Sequence, residues 1–212
     1  RESIGTIAFG DSSSTCTNCS DWSDSQVAAT LNNGDYYNRT GVYANNGLTA
    51  TAKAQINNTK YYLGTVSYQG KNTPEIYKQE RGTNVWDTNK QTWNGKVGLI
   101  YSSDYMYASS SCYNNSSIMN KDDNASEPYT TDYRNEICKS TDWLLDTNHN
   151  YYSISPEADG AWPGFIISIY TDGKSGINVF LNALNVRPSV YINASVLYTS
   201  GSGTLSDPFT IQ

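Results

Sequence analysis

The sequence predicts an α+β fold, with two short helices near the N-terminal half and antiparallel strands toward the C-terminus. Three observations carry that expectation. Helix start and stop signals fall early, around Asp24 and Thr49. Strand-like segments crowd the last third and are divided by turn residues such as Asp172-Gly173. The composition is that of a chain that folds: 13% of residues are aromatic, 18 of them being tyrosine, while 16% are charged, against a usual ~25%.

Residues 3–9 read as an opening strand. The polar segment 1–25 carries a Cys16-x-x-Cys19 loop. Asp24 is expected to cap a helix through Val27, Ala28 and Leu31, which Asn32-Asn33-Gly34 ends. A second helix is expected over 49–56, with Leu48, Ala52 and Ile56 spaced four apart on one face. Residues 61–66 read as a strand. Residues 74–80 read as a short helix with Pro74 in its first turn.

The apolar run 96–101 gives the strongest signal for a central strand. Residues 109–136 are polar and too long for a turn, so a surface loop is expected there. Trp143-Leu144-Leu145 is read as a return to the core, with Trp93 also placed inside. Strands are expected over 152–155, 165–170, 177–180, 186–192 and 209–211. The whole chain, 1–212, is read as one domain.

Charge narrows the partners. There are 14 Lys plus Arg against 20 Asp plus Glu, for a net charge of −6. With no basic run, neither nucleic acid nor an anionic membrane surface is an expected partner. No apolar segment is long enough to span a bilayer. The chain is therefore read as an extracellular ectodomain whose membrane anchor, if any, lies outside it. Cys16 with Cys19, and Cys112 with Cys138, are the expected disulfides; a zinc site and a redox motif are the competing readings of the C-x-x-C.

Catalytic and metal motifs are sparse. His149 is the sole histidine and sits in a polar turn. Asp146, Asn148, Asn150 and Glu157 match part of a calcium-loop spacing, but Tyr151 stands where the loop needs Gly. No metal, no cofactor and no enzymatic activity are expected. Arg187, in an apolar strand before Pro188, is read as a buried cation paired with a carboxylate of Asp104, Asp142 or Glu80. A guanidinium that grips a ligand is the competing reading. Arg81 is read in the same way.

The tail carries Ser153-Ile154-Ser155-Pro156, then Tyr170-Thr171-Asp172-Gly173, then Val186-Arg187-Pro188-Ser189-Val190. It ends Gly201-Ser202-Gly203-Thr204 and Asp207-Pro208-Phe209-Thr210-Ile211. Upstream stand Trp22-Ser23-Asp24-Ser25, Tyr61-Tyr62-Leu63-Gly64, Glu80-Arg81-Gly82-Thr83 and Trp93-Asn94-Gly95-Lys96-Val97-Gly98-Leu99-Ile100-Tyr101. Over about residues 20–212 this order resembles prepilin-like and phage-type surface proteins of Gram-positive and gut bacteria. These are related to the variable proteins of diversity-generating retroelements. The resemblance implies a C-type-lectin-like domain of the formylglycine-generating-enzyme branch, and a binding face between the "LSP" and "VRP" elements, here 157–185.

Within that window Trp162, Phe165, Tyr170, Asn178, Phe180, Asn182 and Asn185 are the candidate ligand-binding residues. Aromatic rings and amides supply contact area and adaptable hydrogen bonds. Alternation would place Asn178, Phe180 and Asn182 on one strand face. For Trp162, Phe165 and Phe180 a core role is the competing reading. The expected function is non-covalent, adhesin-like recognition of a protein or carbohydrate on another surface. A pilin-like filament subunit, contacting copies of itself or other pilus subunits, is the alternative, with an enzyme of unrecognised class as the third.

Overall fold

One fully buried strand organises the chain, and it lies late in the sequence. The structure is a computed structural model that describes residues 3–10, 20–67, 71–85, 90–110, 136–158, 165–173, 175–204 and 206–211. The buried strand is β5 (Tyr151–Pro156), every residue of which is enclosed. It lies inside a five-stranded sheet with β1 (Thr6–Ala8), β6 (Phe165–Ile169), β7 (Ser175–Val179) and β8 (Ala183–Asn185). The order is β1-β8-β5-β6-β7. Most pairs are antiparallel; β5 and β8 run parallel through Tyr151 and Asn185.

Alternation along β5 and β6 divides the core in two. Tyr152, Ile154 and Ile166 pack with Phe9, Trp22, Val27, Leu31, Tyr61, Leu99 and Val186. Tyr151, Ile167 and Ile169 point the other way, onto Val66, Ile76, Tyr105, Met106 and Leu144. The first cluster receives helix α1 (Gln26–Asn32); the second receives α4 (Thr73–Glu80) and α5 (Ser102–Tyr107).

The mixed α+β reading holds, but helices are more numerous than expected. The described residues also form α2 (Asp35–Asn38), α3 (Ala50–Gln55) and α6 (Glu136–Thr141), with 3-10 turns at Trp22–Asp24 and Gly41–Tyr43. Each α-helix spans four to eight residues, too short for an apolar period to declare itself. Caps set them instead. Ser25, not Asp24, caps α1 by accepting from the Ala28 amide at 3.0 Å. Asn72 and Glu75 form a reciprocal capping box on α4.

The run 96–101 is not a central strand. Only β4 (Val97–Gly98) pairs, with β9 (Ser189–Val190). Asn32 takes over the neighbouring ladder: its Oδ1 accepts from the Lys96 and Val97 amides, and its Nδ2 donates to the Val97 carbonyl at 2.8 Å. The chain then turns into α5, where the Asp104 carboxylate accepts from the Tyr101 amide at 2.9 Å. Two small ladders complete the fold: β2 (Thr59–Tyr62) with β3 (Thr92–Gly95), and β10 (Tyr198–Ser200) with β11 (Thr210–Ile211). Among the described residues no helix is long and apolar enough to cross a membrane.

Candidate functional site

The residues named from the sequence do not assemble into one face. Asn178, Phe180 and Asn182 were expected on a single strand, but β7 stops at Val179. A turn follows, closed by the Asn182 amide on the Val179 carbonyl at 3.1 Å, before β8 begins at Ala183. The strand ends because its two halves serve different neighbours: β7 pairs β6, whereas β8 pairs β1 and β5. Phe180 lies half-buried against Gly10 and the Trp22 cluster. Asn182 donates to the Asn178 side chain, and its carbonyl accepts from the Tyr152 hydroxyl.

Phe165 opens β6 beside Val179 and is also half-buried. Tyr170 stands five residues farther along, roughly 16 Å at ~3.3 Å per residue, and donates its hydroxyl to the Ile177 carbonyl at 2.9 Å. Asn185 sits on β8, where its Oδ1 accepts from Ser3 Oγ at 2.9 Å. The window thus splits between the two ends of β6. Trp162 lies outside the described residues, as do Cys16, Cys19, Cys112 and most of the 109–136 loop. Cys138 falls on α6 by its backbone alone.

The calcium-like spacing does not converge. Asp146 Oδ1 accepts from the Asn148 and His149 amides, while Asp146 Oδ2 meets the His149 ring at 3.1 Å. Asn150 accepts from the Thr171 amide, and Glu157 is buried past the far end of β5. Among the described residues no group of three His, Cys, Asp or Glu is placed to hold a metal.

A different site emerges where the segment after α6 crosses β5. Two adjoining hollows, of about 250 and 330 Å3, share Ile100, Trp143 and Leu144 as walls. The first continues over Tyr151, Arg187, Pro188 and Ser189. The second continues over Asp104, Tyr107 and Ala108. Trp143 was expected in the core; it is 54% exposed, while its neighbour Leu144 is buried. Asp142 forces that division. Its Oδ1 accepts from both the Leu144 and Leu145 amides, at 2.8 and 3.2 Å, in a tight turn that sends successive side chains opposite ways.

Arg187 forms the inner wall of the first hollow. It is 8% exposed. Among the described residues no carboxylate pairs with it, in contrast to the ion pair expected from the sequence. Its Nη1 donates to the Leu144 carbonyl at 2.7 Å, and its guanidinium lies 4.4 Å over the Tyr151 ring. The ring face and the carbonyl together offset part of the cost of burying the charge. Burial pushes the Tyr151 phenol above its ordinary range although Arg187 pulls it down.

The second hollow rests on a buried polar cluster. Glu80 is fully enclosed. Its Oε1 accepts from the Ser103 amide at 3.0 Å and Ser155 Oγ at 2.6 Å; its Oε2 accepts from Arg81 Nη1 at 2.8 Å and from Ser103 Oγ. Burial raises the Glu80 carboxyl to about 7, against the pull of those donors and of Arg81. Arg81 lies between the Tyr77 and Tyr101 rings, at 4.1 and 3.8 Å, and reaches Asp104 at 3.8 Å. Glu80 is closed off from any substrate; its chemistry here is to anchor the start of α5 and, through Arg81, to place Asp104 at the hollow. Period and propensity do not reveal this site. Its one sequence signal is Arg187, a cation in an otherwise apolar run, which the structure places between β8 and β9 rather than in the strand expected over 186–192.

Set against protein-family models, curated proteins and solved structures, the chain matches none of them.

Proposed function

We propose that this chain is the recognition domain of a surface-displayed, extracellular protein, binding a protein or glycan ligand non-covalently in an adhesin-like manner. One observation carries the reading: an exposed Trp143 stands over a hollow whose inner wall is the buried Arg187. An exposed aromatic ring beside an enclosed polar group is the arrangement binding sites use, because burial supplies affinity and the polar group supplies selectivity. The C-type-lectin-like architecture belongs to the same proposal. The order of the family-like segments supports it: one forms β5, one the Tyr170–Gly173 turn, and one leads into β9.

Glycan and peptide arrays probed with the wild-type domain and with Trp143→Ala test the reading. Binding that Trp143→Ala abolishes supports it. Binding that survives Trp143→Ala and is lost on changing Asn178 and Asn182 overturns this site in favour of the β7–β8 turn. A filament-subunit reading draws on the exposed Leu197, Tyr198 and Phe209 around the β10–β11 ladder. Sedimentation that shows concentration-dependent assembly, abolished by Phe209→Ser, would favour it.

A further inference from the structure

Arg187 is a cation in the wrong place for a purely structural group. It is more than nine-tenths buried, its Nη1 donates to the Leu144 carbonyl, and it lines the hollow. A guanidinium has five N–H donors. Asp142 and Asp146, each two residues from Leu144, both hold two backbone amides on Oδ1, and Asp104 is turned to Arg81 and the Tyr101 amide. The planar acceptor that fits the remaining fork is a carboxylate.

The surroundings say what carries that carboxylate. At about 250 Å3 the hollow is smaller than the ~300–1,000 Å3 of sites for drug-sized ligands, so it takes one ring. Trp143 offers an aromatic face at the rim, suited to the C–H face of a sugar. Ser189 in the first hollow, and Asp104 in the second with a side chain 42% exposed, are partners for hydroxyl groups. The chain's net charge of −6 repels a repeated polyanion. A single terminal acid is the form that charge balance tolerates.

Resting on the recognition reading above, we propose that the Trp143–Arg187 hollow binds one carboxylated sugar at a glycan terminus. The carboxylate sits on the Arg187 guanidinium, and the ring lies against Trp143. A peptide carboxylate lacks the ring hydroxyls that Ser189 and Asp104 would meet.

Titration of the purified domain with sialyllactose, glucuronyl-lactose, the methyl ester of each, and lactose tests this without altering the protein. The expected result is binding of one or both acids, weakened at least tenfold by esterification and by loss of the acidic sugar. Trp143→Ala and Ser189→Ala should each weaken the same titration, and Arg187→Lys should weaken it while keeping the charge. If esters and lactose bind as well as the acids, and Trp143→Ala abolishes that binding, the carboxylate proposal falls and the recognition reading stands. Peptides with a free C-terminal carboxylate that bind where the acidic sugars do not would overturn the sugar. No Trp143-dependent binding of any probe would overturn both.

Discussion

The Tyr151 hydroxyl and the Arg187 guanidinium donate to one and the same carbonyl, that of Leu144, at 2.9 and 2.7 Å. The ring of the one also carries the cation of the other, 4.4 Å above it. Losing either donor leaves the buried carbonyl still bonded, whereas losing both orphans it. Tyr151→Phe alone should therefore cost only about 0.5–1.5 kcal/mol. The pair Tyr151→Phe with Arg187→Met should cost more than the sum of the singles, by about 1 kcal/mol or more. Urea melts of the four proteins measure this; costs that add to within ~0.5 kcal/mol would show that the shared carbonyl couples nothing.

Glu80 should make stability depend on pH. Its carboxyl is raised from 4.5 to about 7 in the fold. Between those values the folded chain holds a proton that the unfolded chain releases. The contribution is then fully present below about 4.5 and is lost as pH rises through about 7. At its steepest the slope is about 1.4 kcal/mol per pH unit. Melts from pH 4.5 to 8 should show stability falling in the wild type and a flatter profile for Glu80→Gln. Parallel profiles for the two proteins would place the titrating group elsewhere.

The late strands were legible because β5 and β6 are long enough, and buried enough, for composition to declare them. The expected strands 152–155 and 165–170 fall within a residue of those observed. The run 96–101 misled because an apolar run reports burial rather than pairing. Leu99 and Tyr101 are buried, yet Asn32 and the cap of α5 take the hydrogen bonds a strand would have used. The hollow was hidden for a similar reason. Trp143 stands beside two leucines, and only the Asp142 side chain, accepting from the next two amides, turns it outward. Arg187 was visible as an anomaly, but its partners are a backbone carbonyl and a ring, which no charge count finds.

Gly64 should tolerate no side chain. Its amide donates to the Glu80 carbonyl at 3.0 Å, and a Cβ added there would lie 2.1 Å from the Gln79 carbonyl oxygen and 2.9 Å from that of Glu80. Both obstacles are backbone at the end of α4, so relief requires the helix end that carries Glu80 to move. Gly64→Ala should cost about 2–3 kcal/mol. It should also alter the pH dependence assigned to Glu80. Melts of Gly64→Ala beside Gly203→Ala separate a specific clash from a general glycine effect, since Gly203 has a positive φ of 78° but a Cβ there would first meet the Phe209 ring rather than backbone. Equal, small losses would show that the α4 end yields freely.

Trp143 and Trp22 should respond oppositely to truncation. Trp22 is 1% exposed and its ring lies 6.1 Å from that of Phe9 and 5.7 Å from that of Trp93. Trp22→Ala removes the centre of an aromatic cluster that cannot close around the gap, so a loss of about 3–5 kcal/mol is expected. Trp143 is 54% exposed, and the turn that holds it is made by Asp142 and backbone amides, which Trp143→Ala leaves in place. Its loss should cost less than about 1 kcal/mol, since little apolar surface leaves a buried environment. Denaturant melts of both variants give the comparison directly. A cost for Trp143→Ala near that of Trp22→Ala would make the indole part of the core and leave the hollow without its outer wall. A small cost leaves the exposed part of Trp143 as the outer wall of the hollow that Arg187 lines.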